Sequence, residues 1–344
     1  MNTKNCRDRG RIERRRFLGY SAAAAAAAFG FAAPAIAQRA TTYRFGHMLA
    51  ADTLYHRSIQ MFADEVAKLS SNKIKIDVYP ASQLGSIAEM LSAVKVGSLT
   101  MSMAVPAWYS TFMKPIDAFT LPYLVSSSDR LHAALGGTLG KEIVKMGEGA
   151  GFEVIGYWLI GPRHIVNKVR PVFKPEDCHG LKLRVINSQV YIQSFRALGA
   201  STVAMDPAEL YVSLQNGVLD GFEFPIPDLV SYKLYEVSKY LSLDGHTTDF
   251  FLNSINKGIW DGLSEDDRGI FVQAMKTAMD FQWSEQPKEI ATNLEKLKTL
   301  MQVNEIAPAD KELFVKATRP VYEQFEGSIG KDFLQLAIKE LSAS

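Results

Sequence analysis

Between Gly180 and Glu223 the chain reads GLKLRVINSQVYIQSFRALGASTVAMDPAELYVSLQNGVLDGFE: strand, helix, strand, capped helix and strand in quick succession. Alternation this tight points to parallel strands joined by crossover helices, and so to an α/β architecture. Asp206-Pro207-Ala208-Glu209 is a compact helix start, with Asp as N-cap, Pro at the first helical position and Glu placed for a capping box. Leu210 and Leu214 form the inner stripe, and Gly217 ends the helix. Arg184 stands where the first strand of the block runs out.

The rest of the chain keeps this rhythm. Strands are expected at Thr42–His47 and Lys73–Tyr79, the second reading KIKIDVY with Ile74, Ile76 and Val78 on one face. Between them Ile59, Phe62, Val66 and Leu69 recur at helical spacing behind Asp52 or Thr53 as N-cap. Ile87, Met90 and Val94 mark a second amphipathic helix, ended by Gly97. Leu99–Val105 and Phe152–Ile160 read as buried strands. Ser264-Glu265-Asp266-Asp267 opens a long helix with acids at its positive end, and Pro287 is expected to kink or break it. From Ala291 the pattern is helical, through Leu294 and Leu297 and then from Phe314 to Leu341. No repeat or linker interrupts the chain after residue 40, which favours two interleaved lobes over separate beads.

Charged residues make up 22% and hydrophobic ones 47% of the 344, ordinary for a globular chain able to bury real cores. The net charge of +1 hides an asymmetry. Residues 1–37 hold seven Lys/Arg against two acids, a net of +5, so the remainder carries −4 and offers nothing to nucleic acid. Those 37 residues resemble a twin-arginine export signal: Arg14-Arg15-Arg16-Phe17-Leu18, an alanine-rich run, and Ala35-Ile36-Ala37 as a cleavage pattern. Gly30 and Pro34 interrupt the run, which argues against a membrane anchor. The expected product is released into the periplasm after cleavage behind Ala37. It keeps a single cysteine, Cys178, read as a structural thiol.

Most catalytic signatures are missing. Gly147, Gly149 and Gly151 follow a helix and precede a strand, the reverse of a phosphate cradle, so they read as a helix C-cap and turn. The six histidines show no metal-ligand spacing, and no GxSxG or SxxK motif occurs. No metal or cofactor is expected. Two arginines at strand ends carry the positive signal. An arginine there is often half of a surface ion pair. Arg184 and Arg163, however, both fall at the carboxyl edge of an α/β sheet, where such sheets bind ligands. A guanidinium presents two parallel donors to a carboxylate, with Arg184 as the clamp and Arg163 as its assistant. Trp108, Tyr109 and Phe112 around Pro106 read either as core packing or as a cleft wall.

Several ordered blocks resemble the DctP-type solute-binding subunits of TRAP (tripartite ATP-independent periplasmic) transporters. YPASQLGSIAEMLSAVKVGSL at 79–99 carries Gln83, Leu84, Gly85, Glu89 and Gly97 in register. FTLPYL at 119–124 and the 180–223 block add further matches, and TYRFGH resembles the first strand. The resemblance implies a type 2 periplasmic binding protein fold, two lobes around a central ligand cleft, with a long helix spanning both. Lobe I is expected to take residues 38–160 with 250–290, and lobe II 161–249 with 291–344. The implied task is non-enzymatic: capture of a small organic acid and delivery to a TRAP membrane permease by a monomer. Alternatives are a sensory binding protein facing a membrane receptor and, more remotely, a secreted hydrolase. Arg184 matches the family's carboxylate-binding arginine and Arg163 a second, supporting one.

Where sialic-acid-binding members have Asn after Asp-Gly-x-Glu, this chain has Phe224, and Val105 replaces an acid. With Trp108, these changes point to a smaller or more apolar acid, such as a keto, hydroxy or aromatic acid. Tyr211, Asn187, His47 and His246 complete the expected ligand shell.

Overall fold

The computed structural model describes residues 40–342, so the export signal, its cleavage position and Cys6 lie outside the described residues. The chain opens with β1 (Thr41–Gly46), α1 (Leu54–Leu69), β2 (Ile74–Tyr79), α2 (Ile87–Lys95), β3 (Met101–Ala104) and the short α3 (Pro106–Tyr109). Helices α4 (Ser128–Gly136) and α5 (Thr138–Ala150) lead into the long β4 (Phe152–Asn167). Then come β5 (Lys182–Val185), α6 (Gln189–Ala197), β6 (Ser201–Ala204), α7 (Leu210–Gln215), β7 (Gly221–Pro225) and α8 (Ile226–Ser231). A second long strand, β8 (Tyr240–Asn256), precedes α9 (Lys257–Gly262), α10 (Glu265–Leu300), β9 (Gln302–Glu305), α11 (Pro308–Ile329) and α12 (Lys331–Leu341).

Local chemistry sets these boundaries. Thr53 caps α1 by accepting from the His56 N–H, and Ser86 and Glu89 close a capping box on α2. Gly151 ends α5 at φ +94°, as expected of the glycine-rich turn. The described strands form one sheet in the order β2-β1-β3-β8-β4-β7-β5-β6, with β9 on β8. Parallel pairs β1–β2 and β1–β3 make one flank, and β5–β6 and β5–β7 the other.

The two flanks are joined by β4 and β8, which pair antiparallel along nearly their whole length. β3 takes the C-terminal part of β8, and β7 the C-terminal part of β4. The β4–β8 register shifts between Leu159 and Gly161 and again between Arg163 and Ile165. Bulges of this kind bend and twist a ladder. Gly161 has φ +109°, and a β-carbon there would stand 2.6 Å from Cδ1 of Ile290 on α10. The sequence reading ends this strand near Ile160, because Gly161-Pro162 looks like a stop. The strand runs on to Asn167, since a bulge tolerates Pro where a regular ladder does not. Arg163 therefore lies inside a strand rather than after one.

Helix α10 grips this irregular point. Gln282, fully buried, accepts from the Leu159 N–H at 2.9 Å and donates to the Leu159 carbonyl at 2.7 Å. Gln286 donates to the Ile160 carbonyl at 2.9 Å and to the Tyr55 hydroxyl at 2.8 Å. These bonds satisfy backbone groups released by the bulge, which would otherwise be buried unpaired. They also explain why Pro287 does not break α10, which is helical from Glu265 to Leu300. Anchors next to the proline, including Trp283 Nε1 on the Tyr157 carbonyl at 2.8 Å, offset a helix cost of about 3 kcal/mol.

Two buried apolar clusters result. The larger runs from Phe45, Phe62 and Met101 through Trp158 to Leu183 and Phe195, and the smaller gathers Leu210, Leu214, Phe222, Leu229 and Leu297. The C-terminal helices pack on several elements of the first half of the molecule. Helix α12 packs on α4, α5 and the turn at Lys114–Thr120, while α11 lies against that turn and α6. The reason is the stripe Leu334, Ala337 and Leu341, buried against the first half of the molecule.

Candidate ligand-binding site

A cavity of ≈ 30 Å³ is lined from both flanks of the sheet. One wall consists of Met48 and Leu49 after β1, Ile87 at the start of α2, Val105 and Trp108 around α3, and Phe251 of β8. The other consists of Arg163 of β4, Arg184 and Ile186 at the end of β5, Pro207, Phe224 of β7, and Asp228 and Tyr232. Ligand pockets usually enclose about 300–1,000 Å³, so these walls stand close together.

Strand register places the charges. Arg163 is opposite Pro225 on β7 and Thr247 on β8. Residues two along each partner share its face, which puts Glu223 on one side and Asp249 on the other. Arg163 Nε meets Glu223 Oε2 at 2.5 Å, Nη1 meets Asp249 Oδ2 at 3.1 Å, and Nη2 donates to the Glu223 carbonyl at 3.3 Å. Each guanidinium nitrogen of Arg163 thus has a protein acceptor. Arg184, fully buried, is held by its other edge: Nε and Nη2 both donate to the Met205 carbonyl, at 3.0 and 2.8 Å. Its Nη1 comes only within 3.8 Å of Glu223 Oε1 and has no hydrogen-bond partner among the described residues. The Phe224 ring lies 5.6 Å from each guanidinium carbon, a cation–π arrangement that fixes both planes.

The titration behaviour follows from this packing. Burial and the repulsion of Arg163 pull Arg184 down to about 10, against the opposing pull of Glu223. Burial works against Arg163 too, but Glu223, Tyr191 and Asp249 outweigh it and raise its pKa. Glu223 is held at about 2, because Arg163 and His246 overcome the effect of burial. Asp249 goes the other way, up to about 6, since burial exceeds what Arg163 returns. His246 sits between Asp244 Oδ2 at 2.8 Å and Glu223 Oε2 at 3.4 Å, and these acids overcome burial to raise it to about 9.

Of the residues expected in the ligand shell, Arg184, Arg163, Phe224, Trp108 and Val105 line this cavity. The other four lie elsewhere. His246 is behind the wall and reaches the cavity only through Glu223. His47 is buried at the end of β1, with its Nε2 3.1 Å from His56 Nδ1, and burial lowers its pKa to about 3. Asn187 is exposed beyond β5, one residue past the cavity-lining Ile186. Tyr211 points its hydroxyl at Glu236, 2.9 Å away, on the outer side of α7. The aromatic trio divides: Tyr109 is core, bonded to Ser254 at 2.7 Å, and Phe112 packs edge-on to Phe152. Trp108 alone faces the cavity.

The sequence reading misses Asp228, Tyr232, Met48, Leu49 and Asp249. Asp228 follows Pro227 and passes for a helix-start acid, and Asp249 lies in a strand whose pattern is hard to read. Glu223 is visible as the end of a motif, but its ion pairs depend on β4, which is remote in sequence.

The family described as bacterial extracellular solute-binding protein, family 7 (DctP), matches residues 45–328. This chain belongs to that family. It is a solute-binding protein, not an enzyme. The chain is 34% identical to the uncharacterised protein y4mM of Sinorhizobium fredii over 91% of its own length, and spans 57% of that relative. It is 31% identical to the 2,3-diketo-L-gulonate-binding periplasmic protein YiaO of Escherichia coli, over 71% of this chain and 74% of the relative. Among solved structures, the sugar acid binding protein DctPAm of Advenella mimigardefordensis, in complex with galactonate, superposes with a TM-score of 0.85. It is 28% identical, covering 88% of this chain and 98% of that one. The two-lobed type 2 periplasmic binding fold is therefore that of this solute-binding protein, with β4 and β8 as the connecting strands. No described helix is long and apolar enough to cross a membrane.

Proposed function

We propose that this solute-binding protein captures a small organic acid in the periplasm and delivers it to the membrane permease of a TRAP transporter. The reading rests on one observation above all: Arg184 is buried in the cavity wall with a guanidinium nitrogen, Nη1, that has no acceptor among the described residues. A buried unpaired donor costs about 1–3 kcal/mol. An incoming carboxylate would remove that cost and add charge-assisted bonds. Arg163 holds Glu223 in place, and Phe224 fixes the plane of both guanidinium groups. Binding closes the lobes by bending at the Leu159–Arg163 bulges, the region that separates residues 38–160 and 250–290 from 161–249.

Galactonate and 2,3-diketo-L-gulonate belong to the relatives. Here Val105, Trp108, Phe224, Met48 and Leu49 make most of the lining apolar, which supports a smaller or more apolar acid. The Arg14-Arg15-Arg16-Phe17-Leu18 signal and the Ala35-Ile36-Ala37 pattern support twin-arginine export and release after Ala37.

A thermal-shift screen of small carboxylates tests the assignment. A true ligand at about 100 times its dissociation constant adds roughly 2.7 kcal/mol of stability. Arg184→Ala is expected to abolish the shift for the best hit, and full affinity in that variant would overturn the clamp.

A further inference from the structure

Acid capture leaves one charged wall residue without a role. Asp228 is 7% exposed and lines the cavity with Arg163, Arg184 and Phe224, yet its Oδ1 has no hydrogen-bond partner among the described residues. Native structures rarely leave a buried carboxyl in that state, because its desolvation goes uncompensated. Burial raises its pKa to about 7, Arg163 opposes the rise, and Asp249 and Glu289 add to it. Burial thus moves its titration from the usual carboxylate range toward neutral pH.

We infer that Asp228 is a specificity-determining residue that binds the hydroxyl of a hydroxy monocarboxylic acid whose carboxylate rests on Arg184. A hydroxyl suits Asp228 in either form, donating to the ionised carboxyl and accepting from the protonated one. A keto oxygen can only accept, so it serves only the protonated form. A second carboxylate would bring like charge against Asp228, which opposes dicarboxylates. The remainder of the ligand is apolar, because Met48, Leu49, Ile87 and Trp108 form the opposite wall. This inference deepens the acid-capture reading and rests on it.

Calorimetric titration near neutral pH with 2-hydroxyisovalerate, isovalerate and 2-ketoisovalerate separates the possibilities, with wild type, Asp228→Leu and Arg184→Ala measured in parallel. Wild type is expected to favour the hydroxy acid over its deoxy counterpart by roughly 10- to 100-fold. In Asp228→Leu that ratio falls to about twofold or less, because the hydroxy acid loses affinity. If wild type shows no hydroxyl preference, or the variant keeps it, the role of Asp228 is overturned. Loss of isovalerate binding in Arg184→Ala then shows that acid capture itself stands. If wild type binds none of the three, this inference is overturned, and the carboxylate screen decides acid capture by itself. Should Asp228→Leu not fold, the nearly isosteric Asp228→Asn replaces it: a several-fold drop in the ratio is expected, and an unchanged ratio overturns the role.

Discussion

The two walls of the cavity are built from opposite chemistries. The wall from β1, β3 and the start of α2 presents Met48, Leu49, Ile87, Val105 and Trp108, without a charge. The wall from β4, β5, β7 and α8 presents two arginines and an aspartate, backed by Glu223, Asp249 and His246. The charged wall is held together by strand register and buried ion pairs, so it exists before any ligand arrives. The apolar wall has no partner for a carboxylate. Its contribution is to cover the ligand and exclude water, which strengthens every charge on the other side. Affinity and fold stability should therefore be concentrated on the charged wall, and ligand shape on the apolar one.

The largest effect expected from breaking this arrangement is Glu223→Ala. Glu223 is fully buried and pairs with Arg163 at 2.5 Å and His246 at 3.4 Å. Its removal takes one of two acidic partners from each of two buried cations, leaving Arg163 with Asp249 and His246 with Asp244, and loss of a buried partner typically costs about 3–5 kcal/mol. Chemical denaturation should show that loss in the unliganded protein. A change below about 1 kcal/mol would mean the charged wall is not prebuilt. Next is Arg184→Lys, which keeps the charge. Lysine cannot hold the Met205 carbonyl through two nitrogens while offering a third to a ligand. Affinity for the best acid should fall roughly 10- to 100-fold, with the fold's stability much less changed. Equal affinity in the lysine variant would reduce the clamp to a point charge.

Much of the charged wall was legible in sequence, and the apolar wall much less so. Arg184 sits in a block whose strand–helix–strand pattern is clean, so its place at the sheet's edge could be read from its neighbours. Arg163 was found for a partly mistaken reason: Gly161-Pro162 looks like a strand end, whereas the structure makes it a bulge held by α10. The long β8 went unread because Asp244-Gly245-His246 resembles a turn and Phe250 to Ile255 shows little alternation. A strand buried on both faces loses the period of two that marks a half-exposed one. With β8 unread, Asp249 and the true position of His246 could not be inferred. Asn187 and Tyr211, expected in the ligand shell, lie away from the cavity. Asn187 follows the end of β5 at Val185 and is exposed, so the strand pattern around Arg184 does not carry as far as its side chain.

A smaller effect is expected on the apolar wall. Trp108→Ala removes a partly buried ring that faces the cavity from α3. It should weaken binding by only about 0.5–1 kcal/mol, chiefly by faster dissociation, and leave the unliganded protein near its original stability. The loss should be greater for acids with bulky apolar substituents than for short ones. If Trp108→Ala costs as much as Arg184→Lys, the division between a charge-binding and a covering wall is wrong.

The smallest effect sharpens the comparison through pH. His246 has a folded-state pKa of about 9, above its ordinary 6.5, because Asp244 and Glu223 outweigh burial. A cation whose pKa is raised by folding contributes stability that is complete below about pH 6.5 and lost as pH rises through about 9. The charged wall should therefore loosen at mildly alkaline pH while the apolar wall, which has no titrating group in the cavity, does not respond. Thermal melts of the unliganded protein from pH 7 to 10 should show a falling midpoint that flattens in His246→Gln. That substitution keeps a donor toward Glu223 but cannot titrate. The same alkaline fall in both proteins would assign it to other groups and leave His246 as packing alone.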